Sequence, residues 1–207
     1  MNTTAARRPS RKVATIVSLV AVPVALAASG LVVAQSSYSA YSATTANPTS
    51  NWATGTVALS DDDNNTAAFT ASNLKPGSTG SRCIVVSSTG SLPSAVKLYG
   101  TGAATTKALA SDINLTITQG TGGSFGDCTG YTPLTNGSAV YSGTLAAFGS
   151  SATSFSNGVG SWTPASASVT KPETRTFQLT YTVNPNTTND TQGGTAAIGF
   201  TWEAQNS

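Results

Sequence analysis

Asp61, Asp62 and Asp63 stand in a row and are followed by Asn64 and Asn65, the densest set of oxygen ligands in the chain. Oxygen donors so placed could hold calcium, with Asp61 and Asp63 as the weak metal candidates. An EF-hand takes ligands at alternate positions with a glycine and a distant glutamate, and this spacing does not supply them. The competing reading is a solvated turn after a strand ending near Leu59, since Asp and Asn favour turns and oppose edge pairing. The other acids, Asp112, Asp127, Glu173, Asp190 and Glu203, are scattered singly, so no carboxylate dyad for hydrolysis can be placed. Histidine is absent. Its absence removes Ser-His-Asp and Cys-His pairs and the HExxH zinc site. The Gly-rich run GTGGSFGD (120–127) lacks the lysine and following helix of a phosphate loop. No catalytic and no cofactor-binding residue is assigned, and the expected cofactor is none, calcium or another divalent metal being the exception to test.

Cys83 and Cys128 are the only cysteines. In an exported chain an even number reads as one disulfide, two buried thiols being the alternative. Such a bridge would close a long loop, worth about 4 kcal/mol on the chain-entropy model. Two cysteines without histidine are half a zinc site. Of the three tryptophans, Trp202 sits in register with Ile198 and Phe200 and is read as core. Trp52 and Trp162 are left open, Trp162 being the candidate exposed aromatic for a ligand.

Export is read from the N-terminus. Arg7, Arg8, Arg11 and Lys12 precede the uncharged apolar run 13–34, and small residues follow at once. That is the order of a secretory signal, read over residues 1–39, with a retained membrane anchor as the rival. Cleavage is expected between Ser39 and Ala40, with a cut after Ala34 as the alternative. Residues 40–207 then carry six bases and eight acids, a net charge of 6 − 8 = −2. No basic cluster is left to displace counterions from phosphates, so nucleic acid is not an expected partner. A membrane is expected to be met only through the uncleaved signal segment.

The exported part alternates with period two. Ile113, Leu115 and Ile117 share one face of a run, as do Phe177, Leu179, Tyr181 and Val183, and Ile198, Phe200 and Trp202. Shorter pieces repeat the pattern at Val57/Leu59, Ile84/Val86 and Val96/Leu98. Such runs bury one face of a strand and wet the other. Turns are expected at 75–80, 100–105, 120–127, 135–138 and 184–190, where Gly, Pro, Asn and Asp gather. TLAAFGS (144–150) is the single short helix candidate. The expectation is an antiparallel β-sandwich forming one domain over 40–207.

The order of features also carries a resemblance. An aromatic directly after cleavage (Tyr41), then NWATGTVALS, NLKPG and GSLP, then VYSGTLAAF and the closing TQGGTAAIGFTWEAQ, resemble the TasA/camelysin family of exported bacterial proteins. The likeness covers most of 36–205 and is weakest from about 100 to 170; the cysteine pair departs from it. The resemblance implies a jelly-roll sandwich and a signal cut by a SipW-type signal peptidase. It also implies assembly with further copies of the chain into surface or biofilm-matrix fibres. In such fibres the segment from Ala40 to Asn51, with Tyr41 near its tip, would complete the sheet of the next subunit. A surface metallo-endopeptidase is the alternative the same resemblance implies, although no zinc-binding spacing exists to carry it. A secreted carbohydrate- or protein-binding module is the third reading.

Overall fold

The computed structural model describes the backbone of Ser42–Thr44 and residues 56–206. The predicted signal segment, Ser39, Ala40, Tyr41, Asn51 and Trp52 lie outside the described residues.

Ten strands follow one another: β1 (Ser42–Thr44), β2 (Leu59–Asp61), β3 (Thr79–Ser88), β4 (Ser94–Thr105), β5 (Ile113–Thr121), β6 (Thr132–Pro133), β7 (Ala139–Thr144), β8 (Val159–Trp162), β9 (Glu173–Val183) and β10 (Ala196–Asn206). One sheet runs β1-β10-β4-β8; the other runs β2-β3-β9-β5, with β6 and β7 both on β5. Every strand pairing is antiparallel. Setting aside the short β2 and β6, successive strands distribute between two four-stranded sheets, 1-10-4-8 and 3-9-5-7. That is the double Greek key of a jelly roll, with the first strand beside the last. The sandwich expected from the period-two runs is therefore present, and its connectivity is of jelly-roll type.

The alternation fixes which side chains meet between the sheets. Ile84 and Val86 of β3, Val96 and Leu98 of β4, Leu115 and Ile117 of β5, and Phe177 and Leu179 of β9 are all buried. Trp202 and Ala204 of β10 join them. Aromatic rings bridge the layers: Phe177 lies 5.3 Å from Trp202, and Phe148 lies 5.7 Å from Phe200, centroid to centroid. Phe148 comes from the expected helix, α1 (Leu145–Ser151), whose first turn is capped by the Thr144 hydroxyl accepting from the Ala147 amide at 3.1 Å.

One expected turn is a strand. GTGAAT (100–105) continues β4 to Thr105, opposite β10. Gly102 adopts φ +60°, and the register slips opposite it between Ala197 and Gly199. Gly102 makes a bulge within a long strand paired with β10 and does not end it.

Candidate functional site: a sheet edge

Asp62 has a long-range task. Its two carboxylate oxygens accept from the Val85 amide at 2.8 Å and the Phe125 amide at 2.7 Å. Asp61 ends β2 opposite Val86, and Asp63 closes a local turn by accepting from the Asn65 amide at 2.7 Å. Asn64 and Asn65 take left-handed backbone, φ 50° and 60°, which their short polar side chains tolerate. The run is thus a turn whose middle acid clamps two other segments. Among the described residues no three His, Cys, Asp or Glu side chains gather into a metal-binding group.

Cys83 and Cys128 form the disulfide, with Cα atoms 5.2 Å apart. GTGGSFGD is the tract that presents Cys128. Gly122 and Gly123 have φ +78° and +75°, and a Cβ on Gly122 would meet the Gly130 carbonyl oxygen at 2.2 Å. Only glycine suits both demands.

Trp162 is 4% exposed, which overturns its reading as an exposed aromatic platform. Its indole N–H donates to Glu173 Oε1 at 2.9 Å, while Glu173 Oε2 accepts from the Ala165 amide at 2.9 Å. The Arg175 guanidinium lies 5.7 Å from the indole centroid. Both oxygens of the Glu173 carboxylate are occupied by protein donors. Three Ser-x-x-Lys spacings, the spacing of a serine nucleophile with a lysine base, occur at Ser72/Lys75, Ser94/Lys97 and Ser168/Lys171. None lies on a helix. In β4, odd spacing sends Ser94 into the core and Lys97 to the other face, where its ammonium donates to the Gly160 carbonyl at 2.6 Å.

Main chain at the sheet edges is a further candidate. Of the sheet edges, β8 is four residues long and interrupted by a register shift against β4. It backs onto β7, where a Cβ on Gly160 would stand 3.6 Å from Val140 Cγ1. The outer edge of β3 is covered along its C-terminal half. β2 pairs with Val86–Ser88, Asp62 takes the Val85 amide, and Phe125 bridges Cys83. β10 differs. On its side away from β4, β1 pairs Ser42 with Gln205, Ala43 with Ala204 and Thr44 with Glu203. Among the described residues no strand pairs with Ala196–Thr201 on that side. This stretch, AAIGFT, carries neither charge nor proline, the usual guards of a natural edge.

Close to that edge lies a polar pair. Glu203 is 9% exposed and accepts from the Tyr99 hydroxyl at 2.9 Å. Burial, with the Glu203 carboxylate as hydrogen-bond partner and neighbouring charge, pushes the Tyr99 phenol up to about 12.

The fold and this edge define a jelly-roll protein whose first strand comes from its N-terminal segment. Compared with known protein families and with characterised proteins, the chain matches none by sequence.

Proposed function

We propose that this chain is an exported structural subunit of the cell surface or extracellular matrix. Copies join head to tail when the N-terminal segment of one adds to the β10 edge of the next. The observation that carries this reading is the pairing of Ser42–Thr44 with Glu203–Gln205, beside an edge otherwise open among the described residues. The hydrogen bonds are the same whether the segment belongs to its own chain or a neighbour's, so exchange needs no new contact chemistry. Cleavage after Ser39 would leave β1 close to a free amino terminus, able to reach another copy. A heterologous contact of this kind extends as a filament wherever its rotation does not close a ring. The disulfide suits an oxidising compartment. Among the described residues no helix is long and apolar enough to cross a membrane.

The test is a cysteine pair across the ladder. Ser42→Cys with Gln205→Cys, in a mixture of 14N- and 15N-labelled secreted chain, is oxidised and its cross-linked peptides weighed. Mixed-isotope links accompanied by filaments in electron micrographs are expected. Links confined to single chains, with particles that stay monomeric, would sink the reading.

A further inference from the structure

We propose that Asn136 is a site of spontaneous covalent modification. Its side-chain amide closes on the Gly137 nitrogen and loses ammonia, and water reopens the ring to aspartate or isoaspartate, within the turn that holds the buried Gln119.

The sequence holds two Asn-Gly pairs, Asn136–Gly137 and Asn157–Gly158. In each, glycine leaves the following nitrogen without a side chain to shield it, so local sequence gives both the same chemistry. The fold separates them. Asn157 ends a single 3-10 turn, Phe155–Asn157. Its Oδ1 accepts from the Thr153 amide at 2.9 Å, the Ser154 amide at 2.8 Å and the Ser154 hydroxyl at 3.1 Å. Its Nδ2 donates to the Thr153 hydroxyl at 3.1 Å, and the Gly158 amide donates to the Phe155 carbonyl at 3.3 Å. Ring closure at Asn157 must break these bonds. At Asn136 there are none to break. Asn136 and Gly137 are both exposed. Among the described residues neither the Asn136 side chain nor the Gly137 amide has a hydrogen-bond partner. A Cβ on Gly137 would meet nothing within 4 Å, so the side chain has room to swing onto the nitrogen and water has access to the ring.

The deprotonated Gly137 nitrogen attacks the Asn136 side-chain carbonyl carbon. A nitrogen–carbon bond forms, the bond to Nδ2 breaks, and ammonia departs with the proton that Gly137 gave up. Water then adds to one of the two ring carbonyls, and that carbonyl's bond to the nitrogen breaks. Opening at the side-chain carbonyl leaves aspartate; opening at the main-chain carbonyl leaves isoaspartate, whose main chain is longer by one carbon. In sum, amide and water become acid and ammonia, with no electrons exchanged. The longer chain matters because the turn grips Gln119, which is 4% exposed. Gln119 Nε2 donates to the Gly137 carbonyl at 2.7 Å, while its Oε1 has no partner among the described residues. Its main chain is held as well, the amide donating to the Ser138 carbonyl at 2.7 Å and the carbonyl accepting from the Leu134 amide at 3.1 Å. An added carbon between residues 136 and 137 displaces the Gly137 carbonyl and loosens this grip.

Nothing in this chemistry depends on association, so it is tested on the full chain whatever becomes of the β10 edge. The protein is held in mildly alkaline buffer, once folded and once unfolded in urea, and its proteolytic peptides are weighed over time. Isoaspartate is counted separately by enzymatic methylation of its carboxylate. In the folded chain Asn136 is expected to convert about tenfold faster than Asn157 or more, because several hydrogen bonds hold the second pair and none the first. In urea the two rates should come together. Equal rates in the folded chain, or an Asn136 that does not convert, would overturn the assignment. So would a difference that persists in urea, since the fold would then not be its cause. For the grip on Gln119, amide exchange is followed by NMR on the separated isoaspartate form. The Gln119 and Leu134 amides are expected to exchange about tenfold faster than in fresh protein, the bonds that protect them being loosened. Asn136→Asp, which brings the charge without the extra carbon, is expected to keep the exchange of fresh protein. Unchanged exchange in the isoaspartate form, or the same loss of protection in Asn136→Asp, would overturn the effect of chain length.

Discussion

Asp62 and Asp63 are neighbours of one chemical type with unequal tasks. Asp62 accepts two main-chain donors from segments far along the chain, and hydrogen bonds to a charged group are worth about 1.5–3 kcal/mol each. Asp62→Ala is therefore expected to lower stability by about 3 kcal/mol in urea unfolding. Asp63→Ala, which removes one exposed turn bond, should cost under ~1 kcal/mol. Tyr99 gives a pH dependence with a definite sign. Burial and the Glu203 carboxylate push its phenol from the ordinary 10.0 up to about 12. The stability it contributes is complete below pH 10.0 and is lost as pH rises through about 12. Alkaline denaturation followed by fluorescence should show this loss, and Tyr99→Phe should flatten it.

Among the elements, β9 and β5 form the middle of one sheet and β4 and β10 the middle of the other, and the edges differ in how they are guarded. On the outer face of the first sheet, Thr79 and Ser81 of β3 stand opposite Thr182 and Thr180 of β9, with Asn114 and Thr116 of β5 beyond them. Several hydroxyls bond across strands, Ser81 to Thr180 at 3.1 Å and Thr79 to Thr182 at 3.2 Å. This uncharged surface is built from β-branched residues that suit a pleated sheet, so the abundance of threonine serves strand formation. The disulfide belongs to this scale as well. Cys128→Ser is expected to cost about 2–4 kcal/mol, read from urea unfolding without reductant. Thr144→Ala, which removes the cap of α1, should cost about 1 kcal/mol.

For the whole molecule, the proposed association is tested at the β10 edge. Ala197 is exposed on β10, within the stretch that no described strand covers on the β1 side. Ala197→Lys places a charge at the edge where a strand would add. The folded monomer should keep its stability to within about 0.5 kcal/mol, as a surface substitution away from special features does. Filament growth, followed by light scattering, should slow or stop. Growth at the unaltered rate would show that β10 is not the growing edge.

Much of the sandwich was legible because burial on one face of a strand writes itself as alternation. Ile113–Ile117, Phe177–Val183 and Ile198–Trp202 each fell inside an observed strand. The cysteine pairing was legible too, there being one pair to make. β8 escaped notice because four residues around a positive-φ glycine leave too little period to detect. Gly100–Thr105 was misread because glycine signals a turn and a bulge alike, and only the partner strand decides between them. The task of Asp62 was hidden because its donors, Val85 and Phe125, lie 23 and 63 residues away. The chain's own residues therefore determined what alternates, what turns and which thiols meet, since these depend on neighbours a few positions apart or on counting. Which stretches of edge find a partner among the described residues, and that Trp162 is core, were decided by the tertiary structure alone, because each depends on which distant strand lies alongside.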